Sequence, residues 1–256
     1  MKIKSTIAVV CLLGAVAAFA ADDTTPEERI TLLEEQFKTL TGEMEKDLFG
    51  DVIPELGESI HGMGPAASKV YNKEQGLSIG GYGEVLYQNY NGSDTDATDT
   101  FDMLRVILYF GYKFNDKWVL NTEIELEHAD EAFVEFAYLD YLHSDALNFR
   151  GGLLLVPVGI VNELHEPTVF LGAKRSTVEN RIIPTTWREN GAGLFGDVGP
   201  ASYKLYVVNS LDGEGFSAGG IRGGRPKGSK AKAEDFSVVA RTDVEVAPAV
   251  TLAGSV

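Results

Sequence analysis

Cysteine is almost missing from this chain of 256 residues. The single one, Cys11, sits inside an apolar run at 7–19, ahead of most of that run. If the run is a cleaved leader, the mature chain has neither a disulfide nor a thiolate to work with. Basic charge is also scarce. Twenty-two Lys and Arg stand against 38 Asp and Glu, a net charge of -16, and this excludes a nucleic-acid binder, which needs clustered cations to neutralise phosphates. Long hydrophobic runs are missing too: 7–19 is shorter than the roughly 20 residues of a spanning helix, and a mean hydropathy near zero excludes a bundle of such helices. Histidine occurs four times, never paired at helical spacing, so no zinc motif forms.

The N-terminus reads as an export signal. Lys2 and Lys4 precede the apolar run, and Ala18-Phe19-Ala20 fits a small-x-small cleavage site, giving an expected leader over 1–20. One helix is expected after it, in the segment 21–49. Ile30, Leu33, Phe37, Leu40 and Met44 recur at three- and four-residue steps, Thr25 can cap, and Pro26 suits the first helical position. Its seam is that of a short periplasmic coiled coil, facing other subunits or its own domain. Residues 50–76, with Pro54, Pro65 and several glycines, read as a linker or irregular plug, and His61 as a solvated loop residue.

From Leu77 the period changes to two. Leu104, Val106, Leu108, Phe110, Tyr112 and Phe114 make one apolar face, while Arg105, Ile107, Tyr109 and Lys113 share the other. After Asn115-Asp116 the alternation restarts, with Trp118, Leu120, Thr122, Ile124 and Leu126 opposite Asn121, Glu123, Glu125 and Glu127. These segments reach the roughly 9–11 residues that let a tilted strand cross a bilayer. Nine strands are expected over 77–256. In one of them Glu135 and Asp140 fall on opposite parities, which predicts a bulge. Connections at 115–116, 144–146, 199–200 and 247–248 are short, those at 91–100, 158–189 and 210–234 are long, and only 129–131 breaks the alternation. The fold expected is therefore all-β: part of a transmembrane antiparallel β-barrel, with short turns at one end and extended loops at the other. A closed barrel has an even strand number, so the sequence reads as a portion of a longer one.

Motifs for chemistry fail on context. Gly191-Ala192-Gly193-Leu194-Phe195-Gly196 matches G-x-G-x-x-G without the strand and helix that a dinucleotide site needs. Gly223 to Lys230 approximates a phosphate loop but has Ser229 where the lysine belongs. Glu163, His165 and Glu166 read as a solvated loop cluster. No cofactor, metal site or catalytic group is expected, and the chain is not expected to be an enzyme.

Ala137-Tyr138-Leu139-Asp140-Tyr141, then Phe149-Arg150-Gly151-Gly152-Leu153-Leu154-Leu155-Val156-Pro157-Val158-Gly159, resemble the phosphate-selective porin O and P family, as does Gly80-Gly81-Tyr82-Gly83-Glu84 in the first strand. The resemblance covers roughly 77–256. It implies a homotrimer of sixteen-stranded outer-membrane barrels, each narrowed by an inward-folded third loop. By order and length that loop is 158–189, carrying Lys174, Arg175, Arg181 and Arg188. Lining residues are expected to be Glu84, Arg105, Lys113, Glu123, Glu125, Glu127, Arg150 and Arg241. The inward glutamates depart from an all-cationic passage. The expectation is thus passive diffusion of small ions and hydrophilic solutes through a charged pore, with phosphate or oxyanion selectivity as one alternative and an outer-membrane enzyme or adhesin barrel as another. Arg222, Arg225, Lys227, Lys230 and Lys232 are expected to face outward, toward lipopolysaccharide or incoming anions.

Overall fold

A computed structural model describes residue 30, residues 59–90, 98–248 and 250–256. The chain divides into two units, Met1–Gly50 and Asp51–Val256, and among the described residues the strands belong to the second. The expected leader and nearly all of the expected coiled-coil helix lie outside the described residues; only Ile30, helical and exposed, is described.

Nine strands form one sheet in sequence order: β1 (Gly76–Gln88), β2 (Thr100–Lys113), β3 (Trp118–Glu127), β4 (Glu131–Ser144), β5 (Leu147–Leu155), β6 (Arg188–Val198), β7 (Ala201–Asn209), β8 (Phe236–Ala247) and β9 (Val250–Ser255). Every neighbouring pair is antiparallel. This meander puts the turns after β2, β4, β6 and β8 at one end, all short. The long connections after β1, β5 and β7 lie at the other end, together with the short β3–β4 turn. Strands β1 and β9 are the edges of the sheet. No helix among the described residues is long and apolar enough to cross a membrane.

The two faces differ as the alternation requires. Ile107, Tyr109, Phe136, Tyr138, Leu154, Tyr206, Val208 and Val239 are buried in one cluster drawn from β2, β4, β5, β7 and β8, so the sheet curls around a common interior. The opposite face is apolar and exposed: Leu77, Ile79, Phe110, Tyr112, Leu139, Phe149, Leu205, Val207, Val238 and Leu252 all stand open. The expected bulge is present. Glu123 pairs with Phe136 but Ile124 pairs with Val134, leaving Glu135 as an extra residue. That single insertion lets Glu135, Phe136, Tyr138 and Asp140 all be buried.

Residues 59–72 belong to the segment expected to be a linker or an irregular plug. They carry the one-turn helix α1 (Pro65–Ser68) and a following 3-10 turn at Lys69–Asn72, and they pack on the inward face of the sheet as a plug. Met63, Ala66 and Ala67 join the interior cluster, and Val70 is buried. Gly111 on β2 makes room for it: a Cβ there would come within 2.5 Å of the Val70 side chain. His61 is half-buried rather than solvated. Its ring meets Tyr71 and Phe195 edge-on, each at 4.9 Å between centroids. The G-x-G-x-x-G run is part of β6 itself.

Candidate functional site: a charged interior with a cationic cavity

Polar side chains on the inward face must find partners, because a buried charge left alone is costly. Asp140 and Arg150 face each other in register across β4 and β5 and form a two-pronged pair, Nε to Oδ1 and Nη2 to Oδ2, both at 2.8 Å. Tyr71 of the plug donates to Asp140 at 2.7 Å and accepts from Arg150 at 2.9 Å. The guanidinium lies 4.0 Å from the Tyr138 ring centroid and 4.7 Å from that of Phe195. Asn121 donates to the Ala67 carbonyl and to the Tyr138 hydroxyl. Arg150, expected to line the pore, is thus sealed beneath the plug. Lys113 donates to the Tyr71 carbonyl at 3.2 Å and belongs to the same contact.

The connection between β5 and β6 folds onto the inward face of the sheet. Its Glu163, His165 and Glu166 are buried, not solvated. Glu166 accepts from the Ala66 and Ala67 N–H groups at 3.1 and 3.2 Å, joining the loop to the plug. Burial pushes its carboxyl up against the pull of those two N–H groups. His165 Nε2 lies 3.3 Å from Glu123; burial alone would lower its pKa, but the Glu123 carboxylate raises it. Lys204 and Arg241 oppose each other in register, a like-charge pair that would repel. Each has its own acid: Lys204 with Glu163 at 2.5 Å, Arg241 with Asp243 at 2.6 Å. Arg241 also donates to the Gly159 carbonyl at 2.5 Å.

Toward the end carrying the long connections lies a cavity of about 660 Å³, lined by both signs of charge. Glu84, Asp102, Glu125, Glu127 and Glu135 come from β1 to β4. Arg105 of β2 and Arg188 of β6 come from strands, whereas Lys174, Arg175, Arg222 and Lys227 come from the two long loops. Three of these glutamates, Glu84, Glu125 and Glu135, are held by strand arginines. Arg105 bridges Glu84 and Glu125, both at 2.9 Å, and Arg188 holds Glu135 at 2.7 Å. Arg188, expected in the loop, belongs to β6, whose strand begins earlier than the alternation suggested.

The cations of the loops are less fully matched. Arg175 reaches Thr185 at 3.4 Å with its Nη1, while its buried Nε has no partner among the described residues. Burial, then repulsion from Arg105, lowers its pKa. Lys174 is exposed and donates to Gln88. Arg181 is exposed and lies outside the cavity lining. Arg222, Arg225 and Lys227 do not turn outward as expected. Arg222 and Lys227 line the cavity, and Arg225 bonds the neighbouring loop. Lys230 and Lys232 are exposed, the latter paired with Asp212 at 3.2 Å.

Sequence reasoning therefore found the inward faces but missed most partners: Tyr71, Asp140, Glu163, His165 and Glu166. Of these, only Asp140 opposite Arg150 could have been found, by counting back from a turn centred on 145, which pairs residue 140 with residue 150.

No family model matches the chain. Over 215 aligned positions, which cover 80% of the chain, it is 44% identical to an uncharacterized protein of Aquifex aeolicus, of which the match covers 49%. The chain thus spans about half the length of that relative.

Proposed function

We propose that the sheet is the first part of an outer-membrane β-barrel porin, exported by a cleaved leader, through which small ions and hydrophilic solutes pass by diffusion. The observation that carries this reading is the inverted sheet: apolar side chains stand exposed outside while charged side chains are enclosed inside. Water would not favour such a surface, and lipid would.

Two dimensions support it. Strands β1 to β8 have 9 to 14 residues, enough for a tilted crossing. Outward aromatic residues gather at both ends, Tyr112, Phe114, Trp118, Tyr141 and Phe149 at the turns, Tyr87 and Phe101 near the long loops. On β2, the step from Phe101 to Tyr112 spans roughly 36 Å at about 3.3 Å per residue. Tilted by about 40°, that projects to roughly 28 Å, close to the apolar band of an outer-membrane barrel, about 25 Å tall.

In this reading further strands close the open edges β1 and β9, since unpaired backbone is not tolerated in lipid. A trimeric assembly, and lipopolysaccharide against the outward loops, complete the proposal. The aperture lies at the cavity, between glutamates of β1 to β4 and cations of the loops.

Oxyanion preference is the second reading, favoured by what pairing leaves over. Arg105 and Arg188 are taken up by Glu84, Glu125 and Glu135, and His128 lies 2.7 Å from Asp102. Glu127 then faces Lys174, Arg175, Arg222 and Lys227. The test is a planar-bilayer recording of the full-length mature protein in a KCl gradient. Stepwise ohmic conductance supports the porin, and an anion-selective reversal potential supports the second reading. A protein that inserts but never conducts refutes both and favours an enzyme or adhesin barrel.

A further inference from the structure

The long connection between β7 and β8 enters the interior and grips the one between β5 and β6. Arg225 donates through the two hydrogens of Nη1 to the Thr185 carbonyl at 2.7 Å and the Thr186 carbonyl at 2.9 Å, with the Thr186 hydroxyl at 3.2 Å and the Pro184 carbonyl at 3.4 Å sharing those hydrogens. Through Nε it donates to the carbonyl of Arg222 at 2.9 Å, which fixes its own loop. Arg222 adds bonds to the carbonyls of Thr185 at 2.7 Å and Asn180 at 3.4 Å.

The gripped segment needs holding. Thr186 has a positive φ of 50°, a conformation unfavourable for a β-branched residue. Residues 184–186 are buried, so their carbonyls require donors. A guanidinium suits this place because its planar fork offers several N–H groups in fixed directions, which an ammonium does not. Gathering carbonyls around a cation also offsets the cost of burying it. That cost is visible: burial, then the nearby charges of Arg222 and Arg188, lowers the Arg225 pKa to about 10.

The same short segment supplies Thr185 to Arg175 and leads through Trp187 into Arg188 of β6, so it sits directly behind two cations of the cavity. We propose that the loop at 210–235 is the buttress of the constriction loop, with Arg225 as the positioning residue that fixes Arg175 and the aperture. This rests on the porin reading for its consequence in transport, but not for the contact itself.

Two measurements on the full-length mature protein separate the questions. In detergent micelles, the rate of tryptic cleavage after Lys174 and Arg181, both exposed on the constriction loop, should rise about tenfold or more in Arg225→Ala, as expected for loss of charge-assisted hydrogen bonds. It should rise by a smaller factor in Arg225→Lys and stay unchanged in Lys230→Ala. An unchanged cleavage rate in Arg225→Ala overturns the buttress whether or not the protein conducts. In planar bilayers, Arg225→Ala should widen the spread of single-channel conductance and add open-channel flicker, with Arg225→Lys partly restoring the steady level. Wild-type-like conductance, noise and reversal potential in Arg225→Ala overturn the role in positioning. A silent wild type refutes the porin reading and leaves the cleavage test standing.

Discussion

Acidification should loosen the plug through His61. Burial, then the facing charge of Arg150, lowers the pKa of this imidazole from 6.5 to about 4, while Asp140 opposes and Lys204 adds to the effect. A histidine whose folded pKa is depressed binds fewer protons folded than unfolded between those two values. Its stabilising contribution is present above pH 6.5 and is lost as pH falls toward 4. At about 1.36 kcal/mol per unit, the difference is worth about 3 kcal/mol by pH 4, or roughly a hundredfold more frequent opening of the plug. Nearby groups act with the opposite sign: His165 and Glu166 have raised values, so they favour the seated loop as pH falls.

The wild-type profile is therefore a sum, and the His61 part must be isolated by difference. Amide hydrogen exchange over 59–72, corrected for the intrinsic pH dependence, should be compared between wild type and His61→Gln from pH 7.5 to pH 4. Wild type should lose about 3 kcal/mol of local protection relative to the variant across that range. Parallel profiles in the two proteins would show that His61 titrates normally and is not enclosed by Tyr71 and Phe195.

Arg105→Met strands the carboxylates of Glu84 and Glu125 and should cost about 3–5 kcal/mol, read by denaturant unfolding in detergent. Adding Glu125→Gln should recover part of that loss, because Glu84 stays unpaired, and no recovery would mean that Arg105 and Glu125 are not coupled. Gly111→Leu drives a side chain into Val70 and should cost about 1–3 kcal/mol by overpacking. Exchange should rise at 59–72 and not in β5 to β8; uniform destabilisation would count against a separable plug. Arg175→Glu with Lys227→Glu should move the reversal potential in a KCl gradient toward cation selectivity with little change in unfolding. An unmoved potential would return control of the ions to the glutamates.

The strands were legible because their signal is local. The period of two in β2 and β3 follows from one face meeting one environment, and tight turns at 115–116 and 199–200 mark their own ends. Even the bulge was legible, since Glu135 and Asp140 could share a face only if one residue were inserted. Partners were not. Asp140 needs Tyr71, Glu123 needs His165, and the Ala66 N–H needs Glu166, at separations up to 100 residues and from segments without periodicity. The start of β6 was missed for a related reason: Arg188 and Glu189 are both buried, and two adjacent charged residues look like loop. Gly111 reads as a gap in the inward face of β2 until Val70 is seen above it.

Where the charges come from suggests a division of labour in the interior. Pairs made between strands or with the plug, such as Glu84–Arg105–Glu125, Glu135–Arg188 and Asp140–Arg150, have register or tight burial to hold them. Such pairs contribute little net field at a distance, because opposite charges lie within about 3 Å and their potentials largely cancel beyond a few times that separation. The loop cations that line the cavity, Lys174, Arg175, Arg222 and Lys227, have no comparable acid bridged to them among the described residues, so their field extends into the cavity. Substitutions in the strands should then change stability far more than ion preference, and substitutions in the loops the reverse. Arg225 is the exception that links the two classes: it carries a loop charge, yet its bonds to 184–186 determine where the other loop charges stand.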